Sequence, residues 1–418
     1  MGAHQLSAEA ITAIPKESQT KFSHKLSTEV TISSNYDMQI VTGIQRRFID
    51  AKVGFHILRL AIKNYRSLSR SVKVLKALLS FKKSVLGRIE TKLIKVGGKF
   101  YHTIYAPGYP SKNFDSYIES EFNRVEPLEK KTKALNFIFF AITSKCPLRC
   151  EHCFEWDNLN SKETFTLAEL KAVVAKFQED GISQFHCSGG EPMVRVKDLV
   201  QLISGAAAQS DFHVLTSGYN FTAENARLLK QAGLTGVVIS LDHYDGEMHN
   251  AFRGFKNSFN DVLIAIRNAQ EQNLLITLSL CATKTFISWD NLMRYAELAK
   301  KLEVAFIQVL EPKAVGHYAG KDVFLNEDHF KLLDKFYFEL NFSPAYKQYP
   351  VLLYHGYHQR RIGCLSGGSR NLYIDSKGYV NACPFCHTKS FNIKDSLALD
   401  NRIQKELIKP GCVQYNPA

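Results

Sequence analysis

The chain has 418 residues, 45% of them hydrophobic and 22% charged, a length for two or three domains and the composition of a globular protein. Disorder, collagen-like repeats and a disulfide-knotted miniprotein are excluded. The formal net charge is +13, but residues 46–99 alone carry fifteen Lys and Arg against Asp50 and Glu90, so the whole surplus lies in one stretch and no nucleic-acid partner is expected.

Residues 1 to about 45 are polar and Ser/Thr-rich without a sustained period, and read as loosely ordered. No run approaches the ~20 apolar residues of a membrane span. Glu9, Lys16, Glu17, Lys21 and Lys25 stand where a signal peptide needs an apolar core, so a cytoplasmic location is expected. In that reducing compartment, nine cysteines point to metal ligation or catalysis rather than to disulfides.

From Ile44 to Leu93 the apolar residues Phe48, Val53, Phe55, Leu58, Leu60, Ile62, Leu68, Val72, Leu75, Leu79, Leu86 and Ile89 alternate with cations at helical intervals and without Pro, which predicts two or three basic amphipathic helices. Gly97, Gly98, Pro107, Gly108 and Pro110 predict a loop-rich connection. Six strand-like segments follow, at Leu135–Thr143, Ile182–Ser188, Phe212–Thr216, Gly236–Leu241, Leu275–Leu280 and Val304–Leu310, each succeeded by a helical pattern. Thr166 with Glu169 three residues on is a capping box that opens the first of these helices. The order predicts an α/β fold, a partial (β/α)6 TIM-like barrel with its chemistry at the carboxyl ends of the strands. Three regions are expected: a basic helical segment over 1–130, the barrel over 131–343 and a small cysteine-bearing domain over 344–418. The last holds Cys364, Cys383, Cys386 and Cys412 in a short, turn-rich stretch that needs a staple such as a metal site. Asp375 to Cys383 reads as a hairpin turning at Ser376-Lys377-Gly378.

Directly after the first strand stands Cys146-Pro-Leu-Arg-Cys150-Glu-His-Cys153-Phe154. Three thiolates at this spacing can hold three irons of a cubane cluster and leave the fourth open, unlike a four-cysteine electron-transfer cluster or a closed zinc site. A zinc loop completed by His152 or Cys187 is the bland alternative.

The motif resembles the radical S-adenosylmethionine (radical SAM) enzymes. The resemblance implies a 4Fe–4S cluster on Cys146, Cys150 and Cys153, with S-adenosylmethionine chelated to its free iron. Reductive cleavage would then yield a 5′-deoxyadenosyl radical that takes a hydrogen from the substrate. It further implies cofactor contacts from Phe154, from Gly189, Gly190 and Glu191 in the Gly-Gly-Glu-Pro element, from Thr216 and Ser217, and from Ser240 and Asp242 in Ser-Leu-Asp. Arg253 would pair with the cofactor's carboxylate; an ordinary Asp242–Arg253 surface ion pair is the alternative. Cys364, Cys383, Cys386 and Cys412 resemble the auxiliary-cluster domain called SPASM, or its shortened twitch form, and imply one further 4Fe–4S cluster, with a four-cysteine zinc site as the alternative. Cys187 and Cys281 read as buried small residues. Tyr219, His243, Tyr244, Glu311 and His317 follow strand ends and are candidate substrate contacts.

The activity so implied is oxidative modification of a peptide or protein side chain, fed by an external electron donor such as flavodoxin or ferredoxin. The alternative is a small molecule or lipid modified at a membrane surface. A non-catalytic barrel is disfavoured by the joint presence of the motifs. For the basic helices three roles stay open: contact of residues 46–99 with the anionic inner membrane face, binding of an acidic leader peptide, or capping of the open barrel.

Overall fold

Of the two or three basic helices expected, two are present among the described residues, α1 (Gly43–Tyr65) and α2 (Leu68–Leu86), joined through Arg66 in the left-handed region at φ 48°. The computed structural model describes residues 35–86, 92–128, 135–364, 367–386 and 389–395, all within one unit. Leu60, Ala61 and Tyr65 of α1 and Val74 of α2 bury against Phe114, Ile118 and Phe122 of α3 (Lys112–Val125). Ser111 caps α3 by accepting the Phe114 N–H at 3.0 Å.

The connection expected as loop is instead a small antiparallel sheet of β1 (Gln39–Val41), β2 (Leu93–Val96) and β3 (Lys99–Tyr101). Gly97 and Gly98, both at positive φ, form the two-residue hairpin turn between β2 and β3, which is the reason glycine stands there. β1 also lies inside the stretch expected to be loosely ordered; residues 1–34 fall outside the described part. Ile94, Val96, Tyr101 and Ile104 pack on Leu275, Phe306 and Val351, which begin barrel strands, so this sheet closes the amino end of the barrel.

The barrel runs β4 (Phe137–Thr143), α4 (Leu167–Glu179), β5 (Gln184–Gly189), α5 (Val196–Ser204), β6 (Asp211–Thr216), α6 (Ala223–Ala232), β7 (Leu234–Ser240), α7 (Gly246–Arg253), α8 (Ser258–Glu271), β8 (Leu275–Cys281), α9 (Trp289–Lys301), β9 (Phe306–Leu310) and α10 (Glu327–Phe342). The Thr166–Glu169 capping box is formed. α7 was not expected; it is only eight residues long, held at its start by the Asp245 side chain. Two further strands extend the parallel run beyond six. β10 (Val351–Tyr354) pairs with β9, and, after α11 (His355–Ile362), β11 (Asn371–Ile374) pairs parallel to β4, Asn371 opposite Phe137. β12 (Tyr379–Asn381) folds back on β11 through the expected turn and pairs in turn with β13 (Phe391–Asn392). The parallel strands run β10-β9-β8-β7-β6-β5-β4-β11, a partial barrel open between its ends. α2 touches α11 on one side of that gap, and its Phe81 ring lies 4.6 Å under the Arg370 guanidinium, just before β11, on the other.

Glu121 of α3 ties the helical segment to the starts of β4 and β11. Its carboxylate accepts from Arg124 (3.0 Å), Asn136 (2.7 Å) and Arg370 (3.1 and 3.0 Å). Burial would lift this carboxyl, but Arg370 and Arg124 hold it below the usual range. A depressed folded value stabilises the fold above the ordinary carboxylate range, and the contribution is lost as pH falls through the folded value. Glu121→Gln should therefore cost roughly 2–3 kcal/mol at neutral pH, less than a fully buried pair because Arg370 keeps some solvent contact. As pH falls below the ordinary carboxylate value of ~4 and through the depressed folded value, the melting curves of both proteins should converge; a gap that persists beyond that would refute the assignment.

Candidate active site

The loop after β4 is gripped by three glycines where a side chain has no room. A Cβ on Gly190 would stand 2.3 Å from the Lys145 carbonyl, one on Gly254 2.7 Å from that of Arg149, and one on Gly316 2.3 Å from that of Cys153. Backbone bonds seal the same contacts: Glu191 N–H to Lys145 O (2.8 Å), Arg149 N–H to Arg253 O (3.1 Å) and His317 N–H to Cys153 O (3.0 Å). Asn160 exchanges side-chain bonds with the Cys146 backbone at 3.1 and 3.2 Å. The loop shape is thus set by protein contacts that do not use the thiols. Gly316 also sits at φ 56°, so Gly316→Ala adds strain of about 1–3 kcal/mol to a direct clash. Cleavage of S-adenosylmethionine should fall about tenfold or more, as when a supporting contact of a metal site is lost; unchanged turnover would show that the loop tolerates displacement.

Cys146, Cys150 and Cys153 line one cavity of about 780 Å³. Burial pushes the Cys146 thiol up to about 12 and raises those of Cys150 and Cys153 as well. Thiolates at these positions need a positive partner, which the irons of a cluster supply. Three cysteines opening onto one cavity are a donor set that fits an iron–sulfur cluster.

Glu191 lies at the start of a buried knot rather than free in the cavity. Its carboxylate accepts the Thr216 hydroxyl (2.7 Å), the Ser217 N–H (2.8 Å) and hydroxyl (2.6 Å), and the Met193 N–H (3.1 Å). Ser217 therefore spends its hydroxyl on Glu191, pinning the end of β6 to the turn after β5. Asp242 and Arg253 are paired at 2.5 Å, but the pair is buried, 4% and 7% exposed, not a surface contact. Burial alone would lift the Asp242 carboxyl; Arg253 beside it holds it below the usual range. Asp242 also accepts the Cys281 N–H at 2.9 Å, its own N–H donates to His249 Nδ1 at 3.1 Å, and Arg253 reaches Cys150 Sγ at 3.6 Å. The guanidinium expected on a cofactor carboxylate is thus already engaged by a protein one.

The same cavity takes in Phe154, Gly189, Gly190, Glu191, Thr216, Ser217, Ser240, Asp242 and Arg253, and also Cys364, Cys383 and Cys386. Phe154 meets Tyr373 and Phe385 edge-on at 5.8 and 5.7 Å, linking the cysteine loop to the second cysteine group. The Gly367 N–H donates to Cys364 Sγ at 3.5 Å, and the Cys386 N–H to Cys383 O at 3.1 Å. Cys412 lies outside the described residues. Cys187 and Cys281 are buried, as expected.

Of the candidate substrate contacts, only Glu311 lines the cavity. His317 packs on Trp156 at 3.8 Å and faces the Cys150 carbonyl (3.1 Å), behind the loop. The Tyr244 hydroxyl bonds Asn291, His243 Nδ1 accepts the Asp245 N–H, and Tyr219 meets Phe255. The floor is built by residues not singled out in the sequence: Phe137, Phe139, His186, Gln308, His355 and Tyr105. Alternation along β4 and β5 could have found Phe137, Phe139 and His186. Tyr105 had no such signal, since it enters from the segment after β3, receives the Gln308 amide at its hydroxyl and stacks on Phe137 at 5.2 Å. His186 is fully buried with both ring nitrogens unpartnered, and burial keeps it neutral.

The profile described as the radical SAM superfamily matches residues 140–305, which span the cysteine loop and most of the barrel. A GTP 3′,8-cyclase of Desulforamulus reducens is 30% identical over 224 residues, 50% of this chain and 67% of that protein. A PqqA peptide cyclase of Bradyrhizobium diazoefficiens is 31% identical over 176 residues, 41% of this chain and 46% of that protein. The crystal structure of Streptococcus suis SuiB bound to precursor peptide SuiA superposes with a TM-score of 0.51 at 12% identity, covering 86% of this chain and 81% of that one, a likeness of fold.

Proposed function

Because the chain belongs to the radical SAM superfamily, whose enzymes use a 4Fe–4S cluster and S-adenosylmethionine, we propose that it oxidatively modifies a side chain of a peptide or protein. The observation that carries this reading is the shared cavity: Cys364, Cys383 and Cys386 open onto the same space as the loop cysteines, where a second cluster can take an electron from the substrate or anchor it. PqqA peptide cyclase and the SuiB complex, by their names, concern peptides.

Cys146, Cys150 and Cys153 hold the first cluster in this reading. When bound, the cluster and S-adenosylmethionine together supply a carbon radical able to take a hydrogen atom from the substrate. Gly189 and Gly190 let the turn after β5 close against the backbone of Thr143 and Lys145, so that they, with Phe154, Thr216, Ser217 and Ser240, border the space for the cofactor. Glu191 positions Thr216 and Ser217, and the Asp242–Arg253 pair orients the wall beside Cys150. A one-electron donor of flavodoxin or ferredoxin type completes the system. Residues 131–343 carry this chemistry, 344–418 the auxiliary cluster while lending β10 and β11 to the barrel sheet, and 1–130 the covering segment.

The GTP of the D. reducens relative is not carried over. Of the four Lys and Arg side chains lining the cavity, Arg253, Lys313 and Arg370 each face a carboxylate, those of Asp242, Glu311 and Glu121, and Lys82 is the fourth. A second reading, a small apolar molecule or lipid modified at a membrane surface, is favoured by the floor of Tyr105, Phe137, Phe139 and neutral His186.

Iron and sulfide analysis of anaerobically reconstituted protein tests the two-cluster arrangement. About eight irons per chain are expected, falling to about four in Cys364→Ala/Cys383→Ala/Cys386→Ala; four in the unmodified protein would remove the auxiliary cluster. Mass spectrometry of a short peptide encoded beside the gene should then show loss of two hydrogens. An unmodified peptide would turn the assignment to the second reading.

A further inference from the structure

We propose that the outward face of the α1–α2 hairpin is a docking surface for an anionic lipid bilayer. The inference does not depend on which substrate the barrel modifies. Seven of the eleven large apolar side chains left exposed among the described residues lie on these two helices: Ile44, Phe48, Phe55 and Ile62 on α1, and Leu68, Val72 and Leu79 on α2, from 38% exposed at Val72 to 88% at Ile44. The other four, Val194, Met248, Ile264 and Phe324, are scattered singly, as on any protein surface.

Spacings of four and seven residues put each set on one side of its helix. On α1 the opposite side, with Leu60, Ala61 and Tyr65, is the one buried against α2 and α3. The rows are therefore not a frayed core but a second apolar face. Exposed cations flank them: Arg47, Lys52, Arg59 and Lys63 on α1, Lys76 and Lys83 on α2. Asp50 is the single acid within the two helices, and it pairs with Arg46 at 3.0 Å.

This is the chemistry of an interfacial helix, whose apolar row enters the acyl boundary while Lys and Arg meet anionic headgroups. The 23 residues of α1 span roughly 35 Å, a length to lie along a surface, and no described helix is long and apolar enough to cross one. An acidic peptide would satisfy the cations but leave both apolar rows in water. The surface is also continuous with the active site. α2 turns Leu68, Val72 and Leu79 outward and lines the cavity with Phe81, Lys82 and Val85, so one helix joins the bilayer to the reaction chamber.

Sedimentation of the full-length enzyme with vesicles tests this. Binding is expected to phosphatidylcholine vesicles containing phosphatidylserine, not to phosphatidylcholine alone, and should weaken as salt is raised. Phe48→Ser/Phe55→Ser/Leu79→Ser should reduce the bound fraction about tenfold or more, with circular dichroism and 5′-deoxyadenosine formation unchanged. Lys52→Glu/Lys63→Glu should reduce it likewise. No binding to the anionic vesicles at low salt, or equal binding by the triple variant, would overturn the proposal. Retention on polyglutamate without vesicle binding would overturn it in favour of an acidic protein partner.

Discussion

Replacing Cys146, Cys150 and Cys153 together by alanine should abolish 5′-deoxyadenosine formation and remove about four irons per chain, while the protein stays folded. Loss of activity alone would be weak support, because an unfolded variant is also inactive. The loop, however, is fixed without its thiols. The Asn160 side chain holds Cys146, Glu191 holds Lys145, and the Phe252 and Arg253 carbonyls hold Glu151 and Arg149. Cys150 is buried and Cys146 and Cys153 are half-buried, and Arg253 reaches Cys150 Sγ at 3.6 Å. Removing them takes away groups that are costly to ionise there, so the melting temperature of the cluster-free variant should match that of the cluster-free parent. A variant that keeps all its iron, or still forms 5′-deoxyadenosine, would contradict the assignment of the loop.

Arg253→Ala should have the largest effect on stability. It leaves the Asp242 carboxylate, 4% exposed, without its 2.5 Å partner, and breaking a buried pair from one side costs about 3–5 kcal/mol. The same change removes the contact to Cys150, so turnover should fall too. Asp242→Asn/Arg253→Met separates the two effects. With neither charge left buried it should recover most of the stability but not the activity, since a neutral wall no longer offers a positive group beside Cys150. Full activity in the double variant would show that the pair is only structural. A melting temperature unchanged in Arg253→Ala would show that Asp242 finds another partner.

Much of the fold was legible because local patterns and tertiary packing agree. The barrel strands are short apolar runs, and their helices carry their own start signals, such as Thr166 with Glu169. Trp289–Lys301 starts directly after Ser288, whose side chain caps it. Two features were illegible for a physical reason. Val351–Tyr354 and Asn371–Ile374 are four residues each in a turn-rich stretch, and their place at the two ends of the parallel run depends on pairing with β9 and β4, about 45 and 230 positions distant in the chain.

The site divides the same way. The cysteine spacing and the turn after β5 are local and readable. What each side chain touches is not: Arg253 meets Asp242 eleven residues away across α7, Ser217 gives its hydroxyl to Glu191, and Tyr105 enters the barrel from outside it. Glycine positions marked close approaches without saying to what; Gly316 abuts Cys153, although more than 160 residues separate them.

Radical chemistry at the cysteine loop is tested most directly by one measurement, chromatography of 5′-deoxyadenosine from anaerobically reconstituted, reduced protein incubated with S-adenosylmethionine. Accumulation of 5′-deoxyadenosine by the parent protein, absent when S-adenosylmethionine or reductant is withheld, is the result expected. Intact S-adenosylmethionine in the presence of a fully loaded, reduced protein would contradict it.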